Sequence, residues 1–543
     1  GDSMAILPPG VSRRDFDSAV RLFEEAVGKE WVFTSDVDLG PYRDAYSTSW
    51  GEAAERKASA AVAPASVEQV QAVVRAANRY KVPLFPISTG KNFAYGGPAP
   101  NMTGTVVLDL KRMNKVLELD GDRHFALVEP GVSYFDLYNA IQAKGLKMWI
   151  DCPDPGWGSP MGNALDHGIG YTFGPYRDHF GSRCGMEVVL ANGEVMRTGM
   201  GALPNSNSWQ DYRYGFGPEV SGLFGQANFG IVTKMGFWLY PQPESYRTGT
   251  ITVPKRADLH RLIAIVNYLE HSHLIGEPLF GTPLRALSRN AAFRDLIVKP
   301  GGPSDGEMDR YASDNNLHSW SVDLQFYGPE RTNLANWNYA KARFAAEIPG
   351  SRFIEGDNLK VPVTPAQIDA APRRGVRHGV PSLDVWSIVT RTVDPTGDSD
   401  GHIGFAPIIP RTAEALFKAQ RVFVEPFRDI ETIFGANALT TPMGWNNRAF
   451  IFFTTLPTSR TRPEVNHKTR ETMLKLIEIG AANGWGEYRS PPEFQDPIVG
   501  AYSFNNHVLR RFTEELKDAV DPNGILAPGR GGIWPKRMRG SRA

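Results

Sequence analysis

Apolar side chains recur at helical spacing from the start of the chain: Phe16, Val20, Leu22, Phe23 and Val27 predict an amphipathic helix within the first seventy residues. A better-marked helix begins at Ser66. Ser66 and Gln69 have the spacing of a capping box, and Val67, Val70, Val73, Val74 and Ala77 make one apolar stripe behind them. A short apolar run then enters a loop, Ile87-Ser88-Thr89-Gly90-Lys91-Asn92-Phe93-Ala94-Tyr95-Gly96-Gly97. Strand-like runs follow at 105–110 and 126–129, with a turn at Pro130-Gly131 and a helix from Ser133 to about Ala143. From Asp151 to Gly236 glycine is dense and helical periodicity is scarce. The texture changes around Tyr240-Pro241-Gln242-Pro243. Beyond it, a strand is predicted at 320–326 and helices at 331–347, 411–427 and 469–483, while 301–309 reads as an exposed loop. The last forty residues return to helix and a Gly/Pro tail. No repeat of solenoid or propeller period occurs. The pattern predicts an α+β fold in two domains. The first covers 1–245 and is completed by 500–543; the second, 246–499, is inserted between them.

Composition narrows the class. The chain has 543 residues, 41% of them hydrophobic, which is enough apolar side chain for a large core and too long for a single one. Lys+Arg and Asp+Glu both number 59, and that balance argues against a nucleic-acid partner, whose phosphates demand a basic excess. Cys152 and Cys184 are the only cysteines. Two cannot build a disulfide framework or a Cys-rich metal site, so no metal is expected and a reducing compartment is. No apolar run approaches the roughly 18–20 residues of a membrane span. Gly1-Asp2-Ser3 ahead of Met4 reads as a cloning scar, and Ala5-Ile6-Leu7-Pro8-Pro9 lacks the features of a signal peptide. A soluble, cytoplasmic enzyme is the expectation.

Short signatures mostly exclude. There is no G-x-G-x-x-G after a strand, no G-x-x-x-x-G-K-[ST] and no H-E-x-x-H. One G-x-S-x-G match, Gly302-Pro303-Ser304-Asp305-Gly306, lacks the strand before it that a nucleophile elbow needs. His271 and His273 read as two surface histidines on a helix. The loop 88–97 and the glycine-rich run from Gly162-Asn163 to Gly170-Tyr171 are more informative. Small residues bring backbone N–H groups close to an anion, and two such segments suggest a long cofactor lying in a backbone trough. Spacing goes no further.

A series of motifs carries a resemblance. Pro86-Ile87-Ser88-Thr89-Gly90-Lys91-Asn92 with Tyr95-Gly96-Gly97, Val128-Glu129-Pro130-Gly131-Val132, and Gly185-Met186-Glu187-Val188-Val189-Leu190-Ala191-Asn192-Gly193-Glu194 come first. Asn228-Phe229-Gly230-Ile231-Val232-Thr233-Lys234, Asn483-Gly484-Trp485-Gly486-Glu487-Tyr488-Arg489 and Val520-Asp521-Pro522-Asn523-Gly524 follow in order. The string, from about Pro8 to Pro535, resembles the vanillyl-alcohol oxidase / p-cresol methylhydroxylase family, and within it the bacterial eugenol and 4-alkylphenol oxidases. The resemblance implies a PCMH-type FAD-binding domain with an α+β cap, and oxidation of para-substituted phenols by hydride transfer from the benzylic carbon to flavin N5 through a p-quinone methide, with O₂ reduced to H₂O₂.

The resemblance also implies roles. Tyr95, Tyr488 and Arg489 match the residues that hold the phenolic oxygen; read without it, Tyr488 is as well a core tyrosine and Arg489 an ion-pair partner. Asp154, in Asp151-Cys152-Pro153-Asp154-Pro155-Gly156, matches the active-site carboxylate, and Asp151 is taken as structural, as is His179. His402 matches the histidine joined covalently to the flavin. Ser88, Thr89, Gly90, Lys91, Asn92, Gly162, Asn163, Gly170, Glu187, Gly230, Ile231 and Val232 fall in cofactor-binding motifs. Arg530 stands where relatives carry lysine, and a cation at the N1/C2 edge would stabilise reduced flavin. The partners implied are a small phenol and O₂, with no membrane, in a homodimer or higher homo-oligomer; a cytochrome c as electron acceptor is the alternative.

The pattern departs from the family in places. No histidine precedes His124, so a second histidine assisting flavin attachment is absent or replaced. An Arg-Glu-Met-His-His-like run of the cap is replaced by Thr441-Pro442-Met443-Gly444-Trp445-Asn446-Asn447, and 392–400 is longer and rich in Asp. Gly444, Asn446 and Asn447 are expected to widen the pocket for methoxylated phenols. Chain length and ring substitution stay open.

Overall fold

The computed structural model describes residues 6–287, 289–383, 401–424 and 446–541. Its first helix, Arg13–Val27, turns Phe16, Ala19, Phe23 and Val27 inward and packs on the helix Val67–Tyr80, whose buried stripe is Val70, Val73, Val74, Ala76 and Ala77. Ser66 caps the second helix by accepting from Gln69 N. The other half of the expected box is displaced by one residue, because Gln69 Oε1 accepts from Ala65 N–H rather than from Ser66.

These helices cover a four-stranded sheet in which Ala61–Val62, Val106–Asp109 and Leu84–Ile87 run parallel. A second sheet of five antiparallel strands has the order Val116–Asp120, Phe125–Val128, Ile231–Trp238, Arg183–Val189, Val195–Arg197. The helix Tyr134–Ala143 begins in a full capping box of Ser133 and Asp136. The C-terminal tail returns to the first sheet: Leu84 N donates to Ile525 O, and Ala527 N to Leu84 O, each at 2.7 Å. The tail is pinned by Lys517, which is wholly buried. Its ammonium donates to Asn228 O and Leu526 O and pairs with Asp521 at 2.6 Å, so the charge is compensated where water cannot reach it.

The cap is built on a four-stranded antiparallel sheet, Leu279–Gly281, Trp320–Gly328, Ser245–Val253 and Arg352–Lys360, in that order. Helices Leu259–His271 and Glu330–Glu347 contribute to its core. Gly249 is required there: a Cβ would lie 2.4 Å from the Trp337 ring. Cap and first domain are joined by a buried triad in which Glu270 pairs with Arg177 and with Arg411, each at 2.6 Å. Two short ribbons, Gly401–Phe405 with Thr454–Thr458 and Ile408–Pro410 with Ala449–Ile451, carry the cap toward the first domain.

Several expectations need correction. The segment 301–309 is not a loop throughout. Ser304 and Glu307 form a capping box that starts the helix Asp305–Asp314; the S-x-x-E spacing was present, and the serine of the G-x-S-x-G match is that cap. The helix predicted at 469–483 begins earlier, at Pro463–Ala482, with proline in its first turn. His271 ends its helix, but His273 stands beyond it at φ 60°. The predicted helix 411–427 is seen as Ala413–Val424, and 425–427 lie outside the described residues, as do 392–400 and 441–445 with Gly444. Asn446 and Asn447 cap and brace the turn before Ala449–Ile451 through Arg448 N, Ala449 N, Arg411 and His271. No helix among the described residues is long and apolar enough to cross a membrane.

Candidate active site

The strand Leu84–Ile87 releases the chain into the loop 88–97 at the meeting of the two sheets. The loop packs closely on both flanks. A Cβ on Gly162 would stand 2.2 Å from Ser88 Oγ, and one on Gly96 would stand 2.4 Å from Pro492. Gly162 lies in the short helix Pro160–Leu165, capped by Ser159. None of the backbone amides of residues 88–92 donates to another described residue. A run of free N–H groups beside closely packed glycines is the arrangement a pyrophosphate requires.

Loop, short helix, the run 226–232 and the tail at 526–530 enclose a cavity of about 1410 Å³ counting its mouth. Ser88, Thr89, Gly90, Lys91, Asn92, Gly162, Asn163, Gly230, Ile231, Val232 and Arg530 all line it, as do Tyr95, Asp154 and Arg489. The residues present fit FAD.

Two expected cofactor residues are elsewhere. Glu187 sits in the strand Arg183–Val189 with its carboxylate taken by Lys234 at 2.7 Å, Thr233 at 3.0 Å and Arg197 at 3.0 Å. It braces the sheet and lines neither cavity described here. Gly170 also lies off the wall. A Cβ there would collide with Asp151 Oδ1 and crowd His179 Nε2, so the glycine makes room for a buried pair, His179 Nε2 to Asp151 Oδ1 at 2.6 Å. Asp151 also accepts from the N–H and hydroxyl of Thr172. Asp151 is therefore saturated with donors and buried, whereas Asp154 faces the cavity and accepts from the Tyr171 hydroxyl at 2.6 Å.

Tyr95 and Arg489 line the main cavity, and Tyr488 adjoins both. Tyr488 lies near enough to Tyr95 to act on its hydroxyl, and the Arg489 guanidinium carbon lies 4.3 Å from the Tyr95 ring centroid. Burial pushes the Tyr95 hydroxyl well above its ordinary range, and neighbouring Tyr488 adds to this while Arg489 opposes it. Tyr95 is thus a neutral donor. Arg489 donates from Nε to Asp166 Oδ2 at 2.7 Å and from Nη2 to Asn92 Oδ1 at 2.9 Å and Asn163 Oδ1 at 3.4 Å. Burial works against its charge, but Asp166 and the two tyrosines outweigh it and raise its pKa. The segment bearing the pair is anchored by Glu493, whose carboxylate accepts from Ser47, Thr48 and Ser49. Tyr488 N donates to Ala406 O and its carbonyl accepts from Gln226 at 2.7 Å. Tyr488 does not line the main cavity; with Arg489 and Arg530, which line both, it faces a second cavity.

His402 does not line the main cavity. It lies on the strand Gly401–Phe405, opposite Pro457. Gly404, on the same face two residues on, comes so close to Tyr95 that a Cβ would stand 3.5 Å from its hydroxyl. Tyr46 lies 5.3 Å from the His402 ring and 5.8 Å from Phe93, which does line the cavity. Burial lowers the His402 pKa to about 4, and its buried Nδ1 has no hydrogen-bond partner, so it stands as a neutral imidazole. Sequence reading missed Asp166, Tyr171 and Glu493. Tyr171 adjoined a recognised motif; the arginine partners of Asp166 and the hydroxyl partners of Glu493 lie hundreds of positions away.

A family model described as an FAD binding domain matches residues 58–199. The chain is 33% identical over 97% of its length to the flavoprotein subunit of 4-cresol dehydrogenase (hydroxylating) of Pseudomonas putida, covering 98% of it. It is 27% identical to 1'-carboxy-chondrochloren decarboxylase of Chondromyces crocatus, over 96% of this chain and 98% of that one. Among solved structures, p-cresol methylhydroxylase with substrate bound superposes with TM-score 0.81 at 32% identity, over 98% of this chain and 99% of that one. The 4-ethylphenol oxidase of Gulosibacter chungangensis, in its isoeugenol complex, gives 0.79 at 34% identity, over 98% and 100%. Fold and trough thus define an FAD-dependent oxidoreductase with a PCMH-type flavin domain. More particularly, the chain belongs to the vanillyl-alcohol oxidase / p-cresol methylhydroxylase family.

The close approach of Gly162 to the loop yields a prediction. Gly162→Ala forces Ser88 aside and should lower flavin absorbance per mole of purified polypeptide; adding Ser88→Gly should restore it. Equal flavin content in the single variant and the parent would show that this contact does not shape the trough.

Proposed function

We propose that the protein oxidises para-substituted phenols, namely 4-alkyl- and 4-allylphenols including methoxylated ones, at the benzylic carbon. The observation that carries this reading is the setting of Arg489: a cation beside two phenolic donors, in a recess opening on the flavin trough. Three donors around one oxygen favour the phenolate over the phenol. Relatives matched over their full length act on 4-cresol and 4-ethylphenol by name, and the same donors supply what such substrates need.

Ionisation makes the ring electron-rich, and the para side chain can then lose hydride. The C–H bond breaks with both electrons leaving on hydrogen, and the phenolate becomes a neutral p-quinone methide. FAD, when bound, would supply the hydride acceptor at N5, with O₂ as the final oxidant and H₂O₂ as its product. Asp154 takes a proton from water adding to the quinone methide, giving an alcohol, or from the adjoining side-chain carbon, giving a vinyl product. Tyr171 orients Asp154 by donating to it. His402 is assigned the covalent link to the flavin; a neutral ring nitrogen with a free lone pair suits bond formation. Arg530 offers a cation to the flavin edge. The assembly that goes with this reading is a cytoplasmic homodimer or higher homo-oligomer.

A second reading keeps the chemistry but delivers electrons to a cytochrome c, and it is favoured by the flavoprotein-subunit status of the Pseudomonas relative. Stopped-flow mixing of reduced enzyme with O₂ separates the two. Rapid reoxidation with stoichiometric H₂O₂ is expected; slow reoxidation with no peroxide would transfer the role of acceptor to the cytochrome.

Arg489→Ala should lower kcat/KM for 4-ethylphenol by about 10²–10³, the scale for one lost charge-stabilising donor; steady-state oxygen uptake checks it, and an unchanged value would remove the clamp from the mechanism. His402→Ala should release FAD into the supernatant on acid precipitation, whereas the parent precipitate stays yellow. Yellow precipitate from both would move the attachment elsewhere.

A further inference from the structure

Asp166 follows the helix Pro160–Leu165 and is 4% exposed. Its two oxygens are divided between two arginines from distant parts of the chain: Oδ2 accepts from Arg489 Nε and Oδ1 from Arg530 Nη2, both at 2.7 Å. Asn92 Nδ2 adds a third bond, to Oδ2, at 3.1 Å. Burial alone would raise the Asp166 pKa, but the charges of Arg530 and Arg489 overcome it and bring it to about 2. The neighbouring His167 is held neutral: burial lowers its pKa further than the Asp166 and Asp178 carboxylates raise it, and both arginines also lower it. The local charge is therefore two guanidiniums and one carboxylate, a net of one positive.

On the reading proposed above, these two arginines face the two ends of the reaction. Removing hydride from a phenolate leaves a neutral quinone methide, so one negative charge leaves the phenolic oxygen and enters the hydride acceptor. It departs from beside Arg489 and arrives on the side of Arg530. With a phenolate bound, the cluster and ligands sum to zero; after hydride transfer they sum to zero again. We infer that Asp166 is a positioning residue whose carboxylate joins the two guanidiniums into one charge unit, so that the ionisation of the bound phenol and the reduction of the flavin respond together to any change in that unit. This inference rests on the phenol reading, and it goes beyond it by naming what links the two ends of the site.

The test uses flavin-loaded enzyme and two readouts other than turnover. One is the apparent pKa of bound 4-nitrophenol, which has no benzylic hydrogen, followed by its phenolate difference spectrum. The other is the flavin midpoint potential from dye equilibration. Asp166→Asn leaves two uncompensated cations, so the bound phenol should ionise at lower pH by about 1–3 units, the usual effect of a nearby charge, and the potential should rise. Arg530→Gln leaves a neutral unit and should move both readouts the opposite way. The double variant restores a net of one positive and should return both toward the parent.

If Asp166→Asn and Arg530→Gln shift the readouts in the same direction, if only one readout moves, or if the double variant does not return, Asp166 is a structural anchor and the inference fails. Should Asp166→Asn not retain FAD, Arg530→Gln alone decides: phenol ionisation moving to higher pH together with a lower potential supports the unit, and movement of the potential alone overturns it. Failure of the parent to bind 4-nitrophenol as its anion would instead count against the phenol reading, leaving the potentials of the variants to judge Asp166.

Discussion

A guanidinium held away from water is costly unless something nearby carries the opposite charge, and the site of this protein is organised around that constraint. On the phenol reading proposed above, Arg489 must stay ionised while part of its charge remains available to a ligand. Complete neutralisation by one dedicated carboxylate would leave nothing to attract a phenolate. Sharing Asp166 with Arg530 leaves each cation only partly satisfied. The amide oxygens of Asn92 and Asn163 orient the same guanidinium without adding charge, so direction and charge are set by different groups.

That arrangement demands backbone from five parts of the chain, and the fold is best understood as the means of bringing them together. The loop 88–97 leaves a parallel strand; Asp166 ends a short helix; Gln226 precedes a strand of the second sheet; Arg489 comes from the far side of the cap; Arg530 lies in the tail. Each is tied by bonds remote from the chemistry. Lys517 holds the tail to the carbonyl of Asn228, Glu493 docks the 490s on residues 47–49, and the Arg177–Glu270–Arg411 triad fixes the cap on the first domain. Buried ion pairs of this kind add little net stability but tolerate no alternative partner, which suits contacts whose task is alignment.

How much of this was legible beforehand differs by level. Helix starts were readable because their signals are local: Ser66, Ser133 and Ser304 each cap within three residues, although the last was passed over in a run that looked like loop. The trough was readable in outline, since glycines that admit a neighbour leave a mark in composition. The proposed clamp was readable only through motif resemblance; nothing in the spacing of Tyr95 and Tyr488 says that they are neighbours. Asp166 was not readable at all, because an aspartate at a helix end looks like a turn former and its meaning lies in arginines 323 and 364 positions away. Glu187 erred the other way. It stands in a recognised motif, but the strand turns its carboxylate toward Lys234 and Arg197, and motif membership could not reveal which face it takes.

The contrast between Asp151 and Asp154 shows what the fold adds to identical chemistry. The two lie three residues apart on one stretch of chain. Asp151 accepts from Thr172 twice and from His179 once, all in the interior. A carboxylate so saturated has its oxygens engaged by the scaffold rather than turned to the cavity. Its imidazole partner in turn contacts Asn163, 2.5 Å from His179 Nδ1, and Asn163 accepts from Arg489 at 3.4 Å, so a line of contacts runs from Asp151 to Arg489. Asp154 meets the cavity itself, beside the phenolic donor of Tyr171. A tyrosine hydroxyl steadies a carboxylate without adding a charge of its own. On the proposed reading the same side chain is a scaffold in one position and a reagent in the other, and the difference is made by the donors that the surrounding backbone supplies.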